Sequence, residues 1–272
     1  MDLTRANQHI NEFARLIREK TFNPYEGDLK VGVDLGTANI VLSVVDEKEN
    51  PVTGASYPAS VVKDGIVVDY VGAVGIVNQL KSQVESIIGK SLTRAATAIP
   101  PGILSGNIKA IGNVVESADM DVINIVDEPT AAARVLGIKD GAVVDVGGGT
   151  TGISILRDGK VIYTADEPTG GTHMSLVLAG FHKISFEDAE KIKKDVSKQK
   201  DVFQIVKPVV EKMASIVKRN IEGYSVEKVY VVGGACCFDD FENAFEKELG
   251  IETIKPVKPL LVTPLGIALH CS

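Results

Sequence analysis

Two short segments place an aspartate at the end of a β-branched run, directly before a turn of small residues. The first is VGVDLGT at residues 31–37, carrying Asp34, Gly36 and Thr37, and it continues through Ala38 and Asn39 into an apolar run at 40–45. The second is VVDVGGGTT at residues 143–151, carrying Asp145, Gly147, Gly148, Gly149, Thr150 and Thr151, and it continues into GISIL at 152–156. A Gly/Thr turn between two strands presents backbone N–H groups and a hydroxyl in a concave nest that suits phosphate oxygens. An aspartate at its edge can hold a hydrated Mg²⁺, which prefers one or two carboxylates together with water and phosphate. Two facing copies would clamp a nucleotide polyphosphate between two lobes.

The elements that must position these turns can be read from periodicity. Residues 4–20 have the spacing of a helix, with Ile10, Phe13, Leu16 and Ile17 on one stripe, and NPYEG at 23–27 breaks it. This segment could dock a partner as a separate element or pack on the first lobe. Residues 31–45 predict a hairpin, and 59–62 with 66–68 predict a second strand pair around Lys63-Asp64-Gly65. Helices are expected at 74–88 and 108–118, a strand at 93–99, and a buried strand at 122–126 that leads into DEPTAAA. The second half repeats the plan, with strands at 142–146, 152–157 and 160–164, the last after the Asp158-Gly159 turn. A helix capped by Ser185 is expected to reach about Lys198, and another to begin at Pro208 and end by Gly223. A strand at 228–232, a helix at 241–249 and a last helix at 264–269 complete a mixed-sheet α/β chain.

Composition and the other motifs narrow the chemistry. The 272 residues are 44% hydrophobic and 24% charged, ordinary for a folded protein, and the net charge of −7 argues against non-specific binding to nucleic acid or anionic membrane. Neither a membrane-spanning apolar run nor a secretory signal is expected. Cys236, Cys237 and Cys271 lack metal or disulfide spacing, and the adjacent Cys236 and Cys237 are read as small buried residues in a reducing cytoplasm. Gly147, Gly149 and Gly152 match a dinucleotide fingerprint, yet a β-branched strand follows where that fingerprint needs a helix. Gly89-Lys90-Ser91 lacks the leading Gly of a P-loop. His9, His173, His182 and His270 are scattered, without metal-ligand spacing.

Five segments, in order over residues 29–269, resemble the actin-like ATPase superfamily that includes DnaK-type chaperones, actin, and bacterial FtsA and PilM proteins. They are DLGT at 34–37, DEPTAAA at 127–133, DVGGGTT at 145–151, VVGGA at 231–235 and PLGIA at 264–268. Within that superfamily, VGVDLGT, DGIV at 64–67, TADEPTGG at 164–171 and VKPVVEKMASIVKRNIEG at 206–223 are similar to proteins of bacterial ethanolamine-utilisation operons. The resemblance implies a duplicated two-lobed fold with ribonuclease H-like mixed sheets. It divides the chain into an N-terminal helix and linker (1–27), a first lobe (28–137, with the returning segment 264–272) and a second lobe (138–263).

The resemblance also assigns roles. Asp34 and Asp145 would hold hydrated Mg²⁺ or orient water, and Glu128 would position the attacking water. Gly36, Thr37, Ala38 and Asn39 would grip phosphate from one side and Gly147 to Thr151 from the other, with Gly170 and Gly171 nearby. Gly233, Gly234 and Ala235 would let adenosine approach the backbone. Glu190 and Lys193, in AEKIK at 189–193, would meet ribose and base, or form a solvated helix face. The small residues of the two hinge segments would let two helices cross closely between the lobes. Thr172, His173 and Ser175 stand where DnaK-type chaperones are acidic, whereas Asp166 just upstream matches an acidic family position, and no catalytic lysine can be chosen among Lys63, Lys81 and Lys90. The expectation is an ATP/ADP- and Mg²⁺-binding core with slow or lost hydrolysis and no peptide-binding domain. It would be a cytoplasmic, chaperone-like accessory of ethanolamine-utilisation enzymes or microcompartment proteins. A self-assembling scaffold of FtsA/PilM type and a small-molecule kinase are the alternatives.

Overall fold

A computed structural model describes residues 3–272. In chain order the elements are α1 (Thr4–Glu19), β1 (Lys30–Leu35), β2 (Asn39–Val45), β3 (Pro51–Pro58), β4 (Val62–Lys63), β5 (Ile66–Val67), α2 (Tyr70–Ile88), β6 (Arg94–Ile99), α3 (Ser105–Glu116), β7 (Asp121–Asp127) and α4 (Glu128–Leu136). The second half contributes β8 (Gly141–Val146), β9 (Thr151–Arg157), β10 (Lys160–Glu167), α5 (Gly171–His182), α6 (Phe186–Lys194), α7 (Gln199–Ile221), β11 (Lys228–Val232), α8 (Phe241–Leu249), β12 (Glu252–Ile254) and α9 (Val262–Leu269).

The two halves build the same sheet. One has the order β3-β2-β1-β6-β7 and the other β10-β9-β8-β11-β12. In each, three antiparallel strands form a meander and two parallel strands extend it. This is the duplicated, mixed-sheet α/β architecture expected from the repeated turns.

Strand alternation sorts the side chains into layers. Val31, Val33 and Leu35 of β1 pack outward with α2 and α3. Ala142, Val144 and Val146 of β8 pack outward with residues of α5, α7 and α8. The opposite faces, including Val41 and Val45 of β2, Val143 of β8, and Tyr230 and Val232 of β11, meet in a middle layer with α1, α4 and α9. Within that layer α4 and α9 cross almost backbone to backbone. A Cβ on Gly266 would overlap the Ala131 carbonyl, and one on Gly32 would lie 2.8 Å from Ser43 Oγ and overlap the Ala268 amide. The small residues of the two hinge segments therefore make the close crossing they were read to make.

Several local expectations need correction. The N-terminal helix is core rather than a separately docking element, because Ile10, Phe13 and Leu16 are fully buried in the middle layer and against β3. β3 was not anticipated; its weakly patterned segment becomes a strand by pairing with β2 along its length. The strand pair expected at 59–62 and 66–68 shrinks to β4 and β5, two residues each. β7 is an edge strand with only Val126 buried, not a buried strand. Pro208 lies inside α7 rather than at its start: Val202, Phe203, Val206, Val210, Met213 and Val217 form one continuous buried stripe, and Pro208 is on the exposed side. There the carbonyl left without an N–H partner can turn to water. The helix capped by Ser185 ends at Lys194, α5 had no sequence counterpart, and Cys237 is exposed although Cys236 and Cys271 are buried.

Candidate functional site

The alternation that sends Val31, Val33 and Leu35 outward turns Asp34 to the inner face of its sheet. In the same way Asp145 shares the inner face of β8 with Val143. Each aspartate is the penultimate residue of a central strand, and the turn that follows points into the gap between the sheets. The second turn is closed by Gly147 N–H donating to Thr150 O at 2.9 Å, with Gly148 and Gly149 at its tip. A Cβ on Gly148 would lie 3.1 Å from Thr37 Cβ and 3.7 Å from Ala38 Cβ, so the two turns face each other at van der Waals range. Among the described residues, the N–H groups of Thr37, Ala38, Gly148 and Gly149 have no protein acceptor. They are unengaged donors grouped at the tips of two opposed turns.

Carboxylates converge behind them. Burial raises the Asp34 carboxyl to about 7, and Asp145 pushes it in the same direction. Burial likewise raises Asp145 to about 6, against a hydrogen bond from Thr263 that pulls it down. Glu128, the first residue of α4, is held well above the usual range by burial and then by Asp145, Asp34, Asp166 and Asp127. Asp127 caps that helix, accepting from Thr130 N–H at 3.0 Å and from Ser154 Oγ at 3.1 Å, which fixes where Glu128 emerges. Negative charges this close repel, so each favours its neutral form unless a cation or a donor arrives.

The remaining residues read from the sequence gather beside the second turn. Gly170 crosses under it: a Cβ there would lie 2.8 Å from both the Gly147 and Gly148 carbonyls. Gly171 N–H donates to Gly147 O and Thr172 N–H to Gly148 O, at 2.9 and 2.7 Å, starting α5 against the turn. A Cβ on Gly171 would lie 3.4 Å from Lys193 Nζ and 3.5 Å from Ala235 Cβ, so three separate segments meet there. Gly233 has φ +94°, and a Cβ on it would overlap Asp145 Oδ1; Gly234 is exposed beside it. Lys193 and Glu190 are not a solvated helix face. Lys193 Nζ donates to Gly171 O at 2.8 Å, to Ser175 Oγ at 2.6 Å and to Glu190 Oε1, while Ser175 Oγ also contacts Glu190. Gly36 and Asn39 complete the first turn, with Asn39 already paired in β2.

One residue escapes the sequence and two are legible there without a role. Thr263, which donates to Asp145 Oδ2, lies one residue before the second hinge segment. Ser175 had been noticed only as a departure. Asp166, at the β10 end, which matches an acidic position of the superfamily, carries a buried Oδ1 without a partner. Lys81 and Lys90 are engaged elsewhere, Lys81 with Asp119 and Glu85 and Lys90 over the Tyr25 ring.

A two-sheet duplicated fold, with opposed Gly/Thr turns and a close helix crossing between, defines an actin-like protein. The structure superposes on MreB5 of Spiroplasma citri bound to AMPPNP with a TM-score of 0.71 at 17% identity, covering 90% of this chain and 96% of that one. The chain belongs to the family of the ethanolamine utilization protein EutJ. It is 44% identical to EutJ of Escherichia coli K12 over 244 residues, 89% of this chain and 86% of that protein. It also matches the crystal structure of EutJ from Carboxydothermus hydrogenoformans with a TM-score of 0.94 at 54% identity, covering 99% of both chains. A family model described as type IV pilus assembly protein PilM matches residues 133–261. No helix among the described residues is long and apolar enough to cross a membrane.

Proposed function

We propose that this actin-like member of the ethanolamine-utilisation family binds ATP or ADP with Mg²⁺ between the two Gly/Thr turns. The carrying observation is the apposition of Gly148 with Thr37 and Ala38, which brings two sets of unengaged N–H donors to one gap. Thr37 with Gly36, Ala38 and Asn39 would grip phosphate from the first lobe (28–137 with 264–272), and residues 147–151 from the second (138–263). Gly171, Lys193 and Ala235 would border the nucleoside, with Glu190 toward the ribose and Gly233 and Gly234 giving the base room.

The fit to a hydrated Mg²⁺ rests on the raised carboxyls of Asp34, Asp145 and Glu128, which a cation would relieve. The carboxylates would hold the ion through water, since Mg²⁺ prefers one or two carboxylates together with water and phosphate. A bound Mg²⁺ would neutralise phosphate charge. Glu128 would accept a hydrogen bond from an attacking water and orient it, a positioning task rather than covalent chemistry. Turnover is expected to be slow.

In the cell the protein would act as a chaperone-like accessory of ethanolamine-utilisation enzymes or microcompartment proteins, in the cytoplasm or associated with the microcompartment. The match of a PilM family model to residues 133–261 supports a second reading, a self-assembling or complex-forming scaffold. ATP-dependent light scattering of the purified protein separates the two.

The test is calorimetric titration with ATP·Mg²⁺. Binding that stabilises the fold by about 2.7 kcal/mol at a hundredfold excess over Kd, and that weakens sharply in Asp145→Ala, supports the clamp. Unchanged affinity in Asp145→Ala would show the two-sided clamp to be wrong.

A further inference from the structure

The β4–β5 hairpin does more than connect. Its turn residues Asp64 and Gly65 both have left-handed backbones, at φ +51° and +73°. The back of the turn is packed, since a Cβ on Gly65 would lie 2.9 Å from Pro100 Cγ and 3.4 Å from Ile103 Cγ2. Its front crosses the gap between the twin turns. Asp64 N–H donates to Thr37 Oγ1 at 3.4 Å, which ties the hairpin to the first turn. The Asp64 carboxylate lies on the second turn: a Cβ on Gly149 would overlap its Oδ1 and stand 2.8 Å from its Cγ.

The carboxylate packs against the Cα side of Gly149 and accepts from none of the tip N–H groups, so it stands at the rim of the nest, beside the place a phosphate oxygen would take. It also sits among like charges. Asp166, with its unpartnered buried Oδ1, is raised to about 6 by burial, and Asp64 heads the neighbouring charges that add to this, against a Thr150 hydrogen bond. Nothing cationic holds Asp64 there, since no ion pair to it is found among the described residues. The hairpin backbone, bonded to Thr37 through the Asp64 N–H, keeps it in position.

Building on the nucleotide reading above, we infer that Asp64 is a specificity-determining gate: its carboxylate stands at the rim of the second turn, against Gly149, and must be displaced when a nucleoside triphosphate enters. A carboxylate at the rim repels an anion entering the nest, and the triphosphate, which brings the most charge, conflicts most. The short β4–β5 ladder, with only the pairs Val62↔Val67 and Lys63↔Ile66, is the element that yields. Its position would then report the presence of a terminal phosphate to whatever reads that surface, as a contact made differently in the two states must.

A turn-forming role alone would also place Asp in a left-handed conformation, and the substitutions are chosen to tell the two apart. Asp64→Asn keeps the turn preference and removes the charge; Asp64→Gly removes the side chain and the backbone strain. Wild type and both variants, checked for folding by circular dichroism, are titrated with ATP·Mg²⁺ and ADP·Mg²⁺. The gate predicts ATP binding tightened by about tenfold in both variants, with a smaller gain for ADP. Binding seen only in the variants supports it as well. Equal affinities in all three proteins overturn the gate and leave the nucleotide reading standing. Weaker ATP·Mg²⁺ binding in Asp64→Asn overturns it in favour of a metal-binding carboxylate. No binding by any of the three overturns the gate together with the nucleotide reading.

Discussion

Thr263 Oγ1, on the helix that crosses between the sheets, donates a hydrogen bond to Asp145 Oδ2 at the edge of the second Gly/Thr turn. The bond joins the hinge to the carboxylate placed to serve a metal. It also opposes the burial that raises Asp145. Thr263→Val keeps the shape and deletes the donor, leaving a buried acceptor exposed to the full desolvation penalty. We expect a loss of about 1–3 kcal/mol in urea unfolding, with Thr263→Ser largely restored. Unchanged stability in Thr263→Val would show that the bond carries no weight.

The α4–α9 crossing has no room for a methyl group. Because a Cβ on Gly266 would overlap the backbone carbonyl of Ala131, only a shift of a whole helix can make space. Gly266→Ala is expected to destabilise by about 1–3 kcal/mol or more, although alanine is the better helix former. A denaturant midpoint equal to wild type would refute the rigid crossing.

α1 should be indispensable to folding. Phe13 is fully buried and touches β3, where a Cβ on Gly54 would lie 2.9 Å from its Cζ. Phe13→Ala should cost about 3–5 kcal/mol, and deletion of residues 1–20 should abolish cooperative unfolding. A truncated protein that still melts in one sharp transition would return the helix to the status of a separate docking element.

Stability should fall as the pH rises toward neutrality. Asp34 titrates at about 7 and Asp145 and Asp166 at about 6 in the folded protein, against an ordinary value of 3.8. Between roughly pH 4 and 7 the folded state therefore holds more protons than the unfolded one. The stabilisation these groups give is complete below pH ~4 and is lost as the pH climbs through 6 and 7. Glu12 runs the other way, held at about 2 chiefly by its hydrogen bond from Arg15, but its contribution is lost only as the pH drops below its ordinary value. Without metal, Tm should be lower at pH 8 than at pH 5.5, by roughly 2–4 °C for each kcal/mol lost. Asp34→Asn should flatten that slope, and added Mg²⁺ should reduce it. A Tm independent of pH in this range would contradict the carboxylate cluster.

Glu128→Gln separates turnover from binding. The amide keeps the length and hydrogen-bonding capacity of the side chain at the α4 start, and loses the charge and the proton acceptor. ATP affinity should change little, while any hydrolysis slows by about a hundredfold or more. Equal single-turnover rates in the two proteins would remove Glu128 from the water-positioning role.

Much of the site was legible because its signals are local. A β-branched strand ending in Asp before a Gly/Thr turn specifies both the turn and, through the two-residue period, the face that Asp34 and Asp145 take. The small residues at 131–133, 266 and 268 likewise announced a close crossing. Other features have no local signature. β3 exists because β2 pairs with it, α7 runs through Pro208 because one buried stripe continues across it, and α5 starts where Gly171 bonds to the second turn. The Thr263–Asp145 bond spans 118 positions, and the carboxylate of Asp64 meets Gly149 across the gap between two sheets. Sequence alone determined which residues form each turn and which way they face. Only the packing of α1, α4 and α9 between the sheets decided how the turns stand against each other, because that spacing comes from side-chain volumes far apart in the chain.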